Sequence, residues 1–129
     1  MSERISEAEH AVMEVLWTTA PLGAAEVAER VDPKRGWSVR TVKTMLSRLL
    51  AKGALVHEEE GRRYLYRPAV TRDQFVGRES RRLIDRMFGG RVTPLVAHLA
   101  EQNRLSAKDI EEIEALEREM ARIRAEGTK

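Results

Sequence analysis

Cysteine is missing from the chain altogether. Disulfides, thiolate metal sites and cysteine nucleophiles are thereby excluded. Long apolar runs are missing too. Nothing approaches the roughly 20 apolar residues of a membrane-spanning helix, and the N-terminal stretch lacks the apolar centre of a signal peptide. The expectation is a cytoplasmic protein with no membrane insertion. Net charge is small, +2 over 129 residues, so global charge alone gives no ground for a polyanionic partner. Signatures of catalysis are equally absent: there is no glycine-rich phosphate loop, no His-Glu-x-x-His and no plausible nucleophile–base pair. The histidines His10, His57 and His98 are far apart in sequence. No enzyme activity, cofactor or metal site is expected.

One local absence is more telling. Between Pro33 and His57 there is no carboxylate, while six basic side chains occur (Lys34, Arg35, Arg40, Lys43, Arg48, Lys52). From Val92 onward the balance reverses, with six basic and eight acidic residues. A basic patch beside a balanced remainder is what a localised phosphate-binding face requires. The centre of the patch is Trp37–Gly53, which reads as one helix. Ser38 can cap it by accepting a backbone N–H one turn inside, and Gly53 can end it. Val39, Val42, Leu46, Leu49 and Leu50 recur at spacings of three and four, giving an apolar stripe. Arg40, Thr41, Lys43, Thr44 and Ser47 fall largely between them, with Arg48 near the boundary. That second face is cationic and hydroxyl-rich and suits phosphates and base edges. A surface helix with solvated basic residues is the bland alternative.

The length allows one domain, or a small domain with an appendage. Ser6 and Glu9 have capping-box spacing. A first helix follows to about Thr19, with Ala8, Val12, Val15 and Leu16 as its stripe and Met13 and Trp17 flanking it. Pro21 and Gly23 break it. A second helix covers about Ala24 to Val31, with Val27, Ala28 and Val31 inward, and Asp32–Gly36 is a turn by composition. The basic helix comes third. After Gly53 the period changes to two. Leu55–Glu59 is strand-like, Glu60-Gly61 can turn, and Arg62–Arg67 alternates with Tyr64 and Tyr66 on one face and Arg63, Leu65 and Arg67 on the other, until Pro68 stops it. Three helices and a hairpin outline a winged helix-turn-helix, with the hairpin as wing. His57 followed by Glu58–Glu60 invites a metal reading, but alternating faces make an acidic, solvated wing the preferred one.

The second half is helical. Thr71 and Gln74 can box a fourth helix running to about Phe88, with Phe75, Val76, Leu83, Ile84, Met87 and Phe88 apolar. It is rich in arginine (Arg72, Arg78, Arg81, Arg82, Arg86). Gly89-Gly90 ends it. Thr93-Pro94 starts a fifth helix, proline being tolerated in the first turn, with Leu95, Val96 and Leu99 as stripe. Ser106 starts the last, where Ile110, Ile113, Leu116, Met120 and Ile123 form one narrow seam and Glu111, Glu112, Glu114, Glu117 and Glu119 fit a solvated face. Such a small appendage covers its own apolar stripes poorly. A second copy of the chain is the preferred cover, over a monomeric helical cap. The fold class expected is mainly α with a small β hairpin: a winged-helix DNA-binding domain over residues 1–70 and a three-helix dimerisation domain over 71–129.

The order Glu7-Ala-Glu-His-Ala-Val-Met-Glu-Val-Leu-Trp17, Trp37-Ser-x-Arg-Thr-Val-Lys-Thr-x-Leu-x-Arg-Leu, Lys52-Gly-x-Leu and Gly61-Arg-x-Tyr-x-Tyr66 resembles the BlaI/MecI/CopY family of penicillinase-type repressors. The likeness continues through Met87-Phe-Gly-Gly90, Leu95-Val96 and Leu105–Ile113, and covers nearly the whole chain. The resemblance implies a homodimeric winged-helix repressor on near-palindromic, double-stranded operator DNA. Carried over, the DNA-touching positions are Ser38, Arg40, Thr41, Lys43, Thr44 and Arg48, with Arg62 or Arg63 from the wing. Lys43 and Thr41 would reach base edges, while Ser38, Arg48 and Arg63 would hold phosphates. Trp37 is either a packing residue or a sugar–phosphate contact. The dimer interface would comprise Phe75, Leu83, Met87, Leu95, Leu99, Ile110, Ile113, Leu116, Met120 and Ile123. Copper-responsive members carry a C-terminal cysteine cluster, which is lacking here. Antibiotic-responsive members are cut in the fifth helix by a membrane-bound metalloprotease sensor. The corresponding bond is His98–Leu99, where family substrates commonly have Asn–Phe. A winged-helix protein–protein interaction module without a specific DNA target is the alternative function.

Overall fold

The computed structural model describes residues 4–31 and 33–127. Asp32, first residue of the expected turn, lies outside them, as do residues 1–3 and 128–129. The chain forms α1 (Glu7–Thr18), α2 (Ala24–Arg30), a single 3-10 turn (Pro33–Arg35), α3 (Val39–Ala51), β1 (Leu55–Glu60), β2 (Arg63–Pro68), α4 (Arg72–Phe88), α5 (Thr93–Glu101) and α6 (Ala107–Gly127). It is mainly α with one antiparallel hairpin, the fold class expected. The contacts divide it into two compact units, 1–78 and 79–129.

The first unit is a winged helix. Ser6 caps α1 by accepting from the Glu9 N–H at 3.1 Å, and Glu9 returns the favour to the Ser6 N–H at 2.8 Å. Two backbone donors at the start of the helix are thus satisfied. Val12, Met13 and Leu16 of α1, Leu22, Val27 and Val31, Val42, Met45, Leu46 and Leu49 of α3, and Ala54, Leu55 and Tyr66 of the hairpin form one buried cluster. Met13 and Met45 sit inside that cluster, whereas Val39 is 39% exposed. The α3 stripe is therefore rotated from the expected one. Its start faces the wing, and Met45, not Val39, fills the core.

In the hairpin the register runs from Leu55 opposite Pro68 to Glu60 opposite Arg63. Pro68 is the last residue of the strand rather than a stop before its end, a position where a missing N–H costs no ladder bond. Gly61 takes a φ of 64° at the first turn position, which glycine adopts without strain. Leu22 pairs with Tyr66 through two backbone hydrogen bonds of 3.2 and 2.8 Å. This bridge stitches the root of the wing to the connection between α1 and α2. Tyr64 and Tyr66 share a face, both meeting the His57 ring, yet Tyr66 is buried and Tyr64 is 44% exposed. Burial follows the distance from the root, and Leu65 on the other face is buried too.

The start of α4 belongs with the winged unit. Arg72 pairs with Glu14 of α1 at 2.9 Å, the Trp17 indole N–H donates to the Val70 carbonyl at 2.9 Å, and the Phe75 ring lies 5.2 Å from His10 and 5.3 Å from Trp17. The first unit accordingly extends past residue 70, the expected boundary, to Arg78. Phe75, one of the residues expected at the dimer interface, is buried against α1 of its own chain.

In the second unit Ser106 and Asp109 box the start of α6, each accepting the other's N–H at 3.0 Å. Arg122 bridges Glu119 and Glu126 on its polar face. Neither α5 nor α6 has a buried residue. No helix among the described residues is long and apolar enough to cross a membrane.

Candidate nucleic-acid interface

The outer face of α3 carries the cations. Ser38 Oγ accepts the Thr41 N–H at 3.1 Å, so the cap fixes where the helix starts and hence where its next side chains project. Thr41 is half-buried and its hydroxyl lies 3.1 Å from Ser38 Oγ, so it shares in the cap. Thr44 is exposed; its hydroxyl donates back to the Arg40 carbonyl at 3.2 Å and keeps its lone pairs for a further donor. Arg40, Lys43 and Arg48 are exposed. None of the three has a carboxylate partner among the described residues. Their charge is therefore not offset locally, as the acid-free stretch predicts. Trp37 is half-buried against the core cluster, with the Arg35 guanidinium 5.0 Å from the centre of its ring. Packing is the role this geometry gives it, with a cation–π contact on the outer side.

Beside α3 lies the wing. A groove of about 330 Å³ separates them, lined by Val39 and Lys43 from α3, Arg62, Arg63, Tyr64 and Tyr66 from the wing, and Gly23, Ala24 and Ala25 from α2. Arg62, at the second turn position, is exposed and unpaired among the described residues. Arg63 differs. Its guanidinium lies 2.8 Å from Glu26 and 3.8 Å from Glu60. Glu26 in turn accepts the Gly23 N–H at 3.0 Å, the carboxylate half of a capping box on α2, with no glycine side chain to return the bond. That backbone N–H holds the Glu26 carboxyl below its usual range; desolvation opposes it, and the charge and hydrogen bond of Arg63 add to the lowering. The remaining wing acids also have cross-strand neighbours: Glu58 lies 4.0 Å from Arg67, and Glu59 accepts from the Tyr64 hydroxyl at 3.2 Å.

The structure thus brings Ser38, Arg40, Lys43, Thr44 and Arg48 onto one helix, with Lys43 across a groove from Arg62. It ties Thr41 into the cap and Arg63 into ion pairs. Sequence reading placed neither Val39 nor Tyr64 in this groove and did not pair Glu26 with Arg63. For Glu26 a signal exists: it stands three residues after Gly23, the spacing of a capping box. Apart from Phe75, the residues expected at the dimer interface belong to the second unit. Leu83, Met87, Ile110, Leu116, Met120 and Ile123 are between 39% and 60% exposed, and Leu95, Leu99 and Ile113 are half-buried. His98 is exposed on α5.

Comparison with known proteins gives the same outline. The family model described as "Penicillinase repressor" matches residues 5–119. The penicillinase repressor of Bacillus licheniformis is 34% identical over 110 residues, spanning 85% of this chain and 86% of that protein. The methicillin resistance regulatory protein MecI of Mammaliicoccus sciuri is 28% identical over 109 residues, 84% of this chain and 89% of that one. The solution structure of the DNA-binding domain of the repressor BlaI superposes with a TM-score of 0.50 at 39% identity, covering 56% of this chain and 90% of the domain. The chain belongs to the penicillinase repressor family, a family of winged-helix repressors and not of enzymes.

Proposed function

We propose that this repressor binds a near-palindromic, double-stranded operator as a homodimer, with α3 of each chain in the major groove and the wing against the adjacent backbone. The observation that carries the reading is the outer face of α3, where Arg40, Lys43 and Arg48 stand exposed without carboxylate partners. Lys43 and Thr44 project from the middle of the helix toward base edges, while Ser38, Arg40 and Arg48 hold phosphates and set register. Thr41 contributes through the cap. One such helix makes too few contacts for tight binding, and the apolar side chains exposed along α4 and α6 suit a second copy of the chain.

The test is binding of duplex DNA by wild type and Lys43→Ala across a salt series. Wild-type affinity should fall steeply with salt as counterions are released. Lys43→Ala should cost about 1–3 kcal/mol on the specific duplex and much less on random DNA. Affinity indifferent to salt would exclude phosphate contacts and defeat the reading.

The same reading includes release by a membrane-bound metalloprotease cutting His98–Leu99. The family resemblance supports it, as does the exposed His98 on α5, which precedes the α6 seam in sequence. A chain with a specific protease site introduced at this bond should bind operator before cutting and lose roughly 10²-fold in affinity after it, since the linked second reader is lost. Unchanged binding after complete cutting would show that α6 is not needed.

A further inference from the structure

Adjacent arginines at the wing have different surroundings, and the difference assigns them different work. We propose that Arg63 and Glu26 form a strut that fixes the wing against α2, and that the wing's phosphate contact belongs to Arg62. The assignment of Arg62 rests on the DNA-binding reading above; the strut does not.

Arg63 is the first residue of β2 and is held by two carboxylates, Glu26 at 2.8 Å and Glu60 at 3.8 Å. A solvent-exposed ion pair usually contributes little, because two long side chains must be ordered to make it. Here one partner is already ordered. The Glu26 oxygen that accepts from Arg63 also accepts the Gly23 N–H at 3.0 Å, so the helix cap holds the carboxylate in place. Gly23 itself records how closely the parts meet. Its φ of −84° suits any residue, but a Cβ there would lie 3.3 Å from the Glu26 carboxylate, 3.4 Å from the Arg63 guanidinium and 3.6 Å from the Tyr64 carbonyl. A side chain at this position would press on the Glu26 carboxylate and fill the space between α2 and the wing. The strand is attached a second time at its root, where Tyr66 and Leu22 exchange backbone hydrogen bonds. Two attachments spaced along β2 fix both its position and its tilt beside α3, and so the width of the groove between Lys43 and Arg62.

Charge points the same way. Two carboxylates flank Arg63 and offset its charge, so a phosphate gains less from it than from an unpaired arginine. Arg62, one residue earlier at the turn, is exposed and has no such competitor. The rival arrangement is that Arg63 leaves Glu26 for a phosphate when DNA binds. The two arrangements predict opposite signs for Glu26→Gln, a change that keeps the cap acceptor and removes only the charge.

The full-length protein is titrated against a duplex that the wild type selects from a random pool, over a salt series, with folding of each variant checked by circular dichroism. Arg62→Ala should lower the slope of log affinity against log salt by about 0.9, the loss of one phosphate contact. Arg63→Ala and Glu26→Gln should each weaken binding about five-fold with the slope unchanged, on the scale of one partly exposed ion pair, and the double variant should lose no more than either alone. Tighter binding by Glu26→Gln, or a reduced slope for Arg63→Ala, would overturn the strut in favour of a phosphate contact. Hydrogen exchange read without DNA decides the strut independently. The Tyr66 N–H, bonded to the Leu22 carbonyl, should exchange several-fold faster in Arg63→Ala and Glu26→Gln than in wild type or Arg62→Ala. Equal exchange in all four would overturn it. Failure of the wild type to select any duplex would overturn the assignment of Arg62 together with the DNA-binding reading, and the exchange result would still stand for or against the strut.

Discussion

Replacing Leu116 and Met120 with aspartate is expected to leave the winged unit folded and to weaken operator binding by roughly 10²–10³-fold, the avidity lost when two linked readers become one. The reason lies in the second unit. No residue of α5 or α6 is fully buried, and Leu116 and Met120 are each 59% exposed on the seam they share with Ile110 and Ile123. A stable helix with an unfilled apolar stripe needs a partner surface, since most helical stability in proteins comes from packing. If that surface is a second chain, two carboxylates on the seam are buried against apolar side chains and the dimer dissociates. Sedimentation would report monomers, and the DNA complex would lose both affinity and two-to-one stoichiometry. Core packing of the winged unit, which shares none of these residues, should be untouched. A variant that remains dimeric with wild-type affinity would place the interface elsewhere.

Lys52→Met should cost about 3 kcal/mol of stability, the lower end for breaking a buried ion pair by removing one partner. Glu9 is 2% exposed on α1. Its Oε1 receives the Lys52 ammonium at 2.5 Å, and the same ammonium donates to the Arg4 carbonyl at 2.8 Å. Lys52 is the C-cap of α3, so this pair latches the start of α1 to the end of α3. Without it a carboxylate remains buried, with Oε2 already lacking a partner among the described residues. The fall in Tm should be roughly 10–20 °C for a unit of this size. The effect has a pH signature. Burial alone would raise the Glu9 pKa, but the Lys52 hydrogen bond and the Ser6 N–H outweigh it and hold the carboxyl below its usual value. A lowered folded pKa means that the contribution is fully present above the unfolded value, about 4.3, and is lost as pH falls through the folded one. In Lys52→Met burial dominates instead. The gap between wild type and variant should therefore start to close as pH falls through the raised Glu9 value of the variant, and go on closing through the lowered value of the wild type. Adding Glu9→Gln to Lys52→Met should recover much of the loss, because an amide can still serve the cap while the unpaired charge is gone. A gap that stays constant down to pH 3 would contradict this account.

The legible parts of the fold were those with a local cause. Capping at Ser6 and Ser38, the period of three and four along α1 and α3, and the change to a period of two at the hairpin all act within a few residues, and the elements formed where they indicate. The illegible parts depend on which element covers which face. Phe75 shares the spacing of Leu83 and Met87, yet it is covered by Trp17 and His10, and spacing alone cannot distinguish those fates. Val39 lies at the edge of the α3 stripe, and only the position of the wing decides that Met45 fills the core instead. The two ion pairs that join distant elements, Glu9–Lys52 and Glu26–Arg63, link residues 43 and 37 apart. Each partner read singly is a helix cap or a basic wing residue. The candidate site was readable in composition, because an acid-free basic stretch needs no tertiary information. Which of its cations are already spoken for does.

The most direct test of the account is selection of bound duplexes from a random pool by the full-length protein, followed by reading their consensus. Two inverted half-sites with centres about 10 base pairs apart, or a multiple of that, are predicted, since each α3 reads one half-site and the dimer places them on one side of the DNA. A single asymmetric site, or no enrichment over the starting pool, would contradict it.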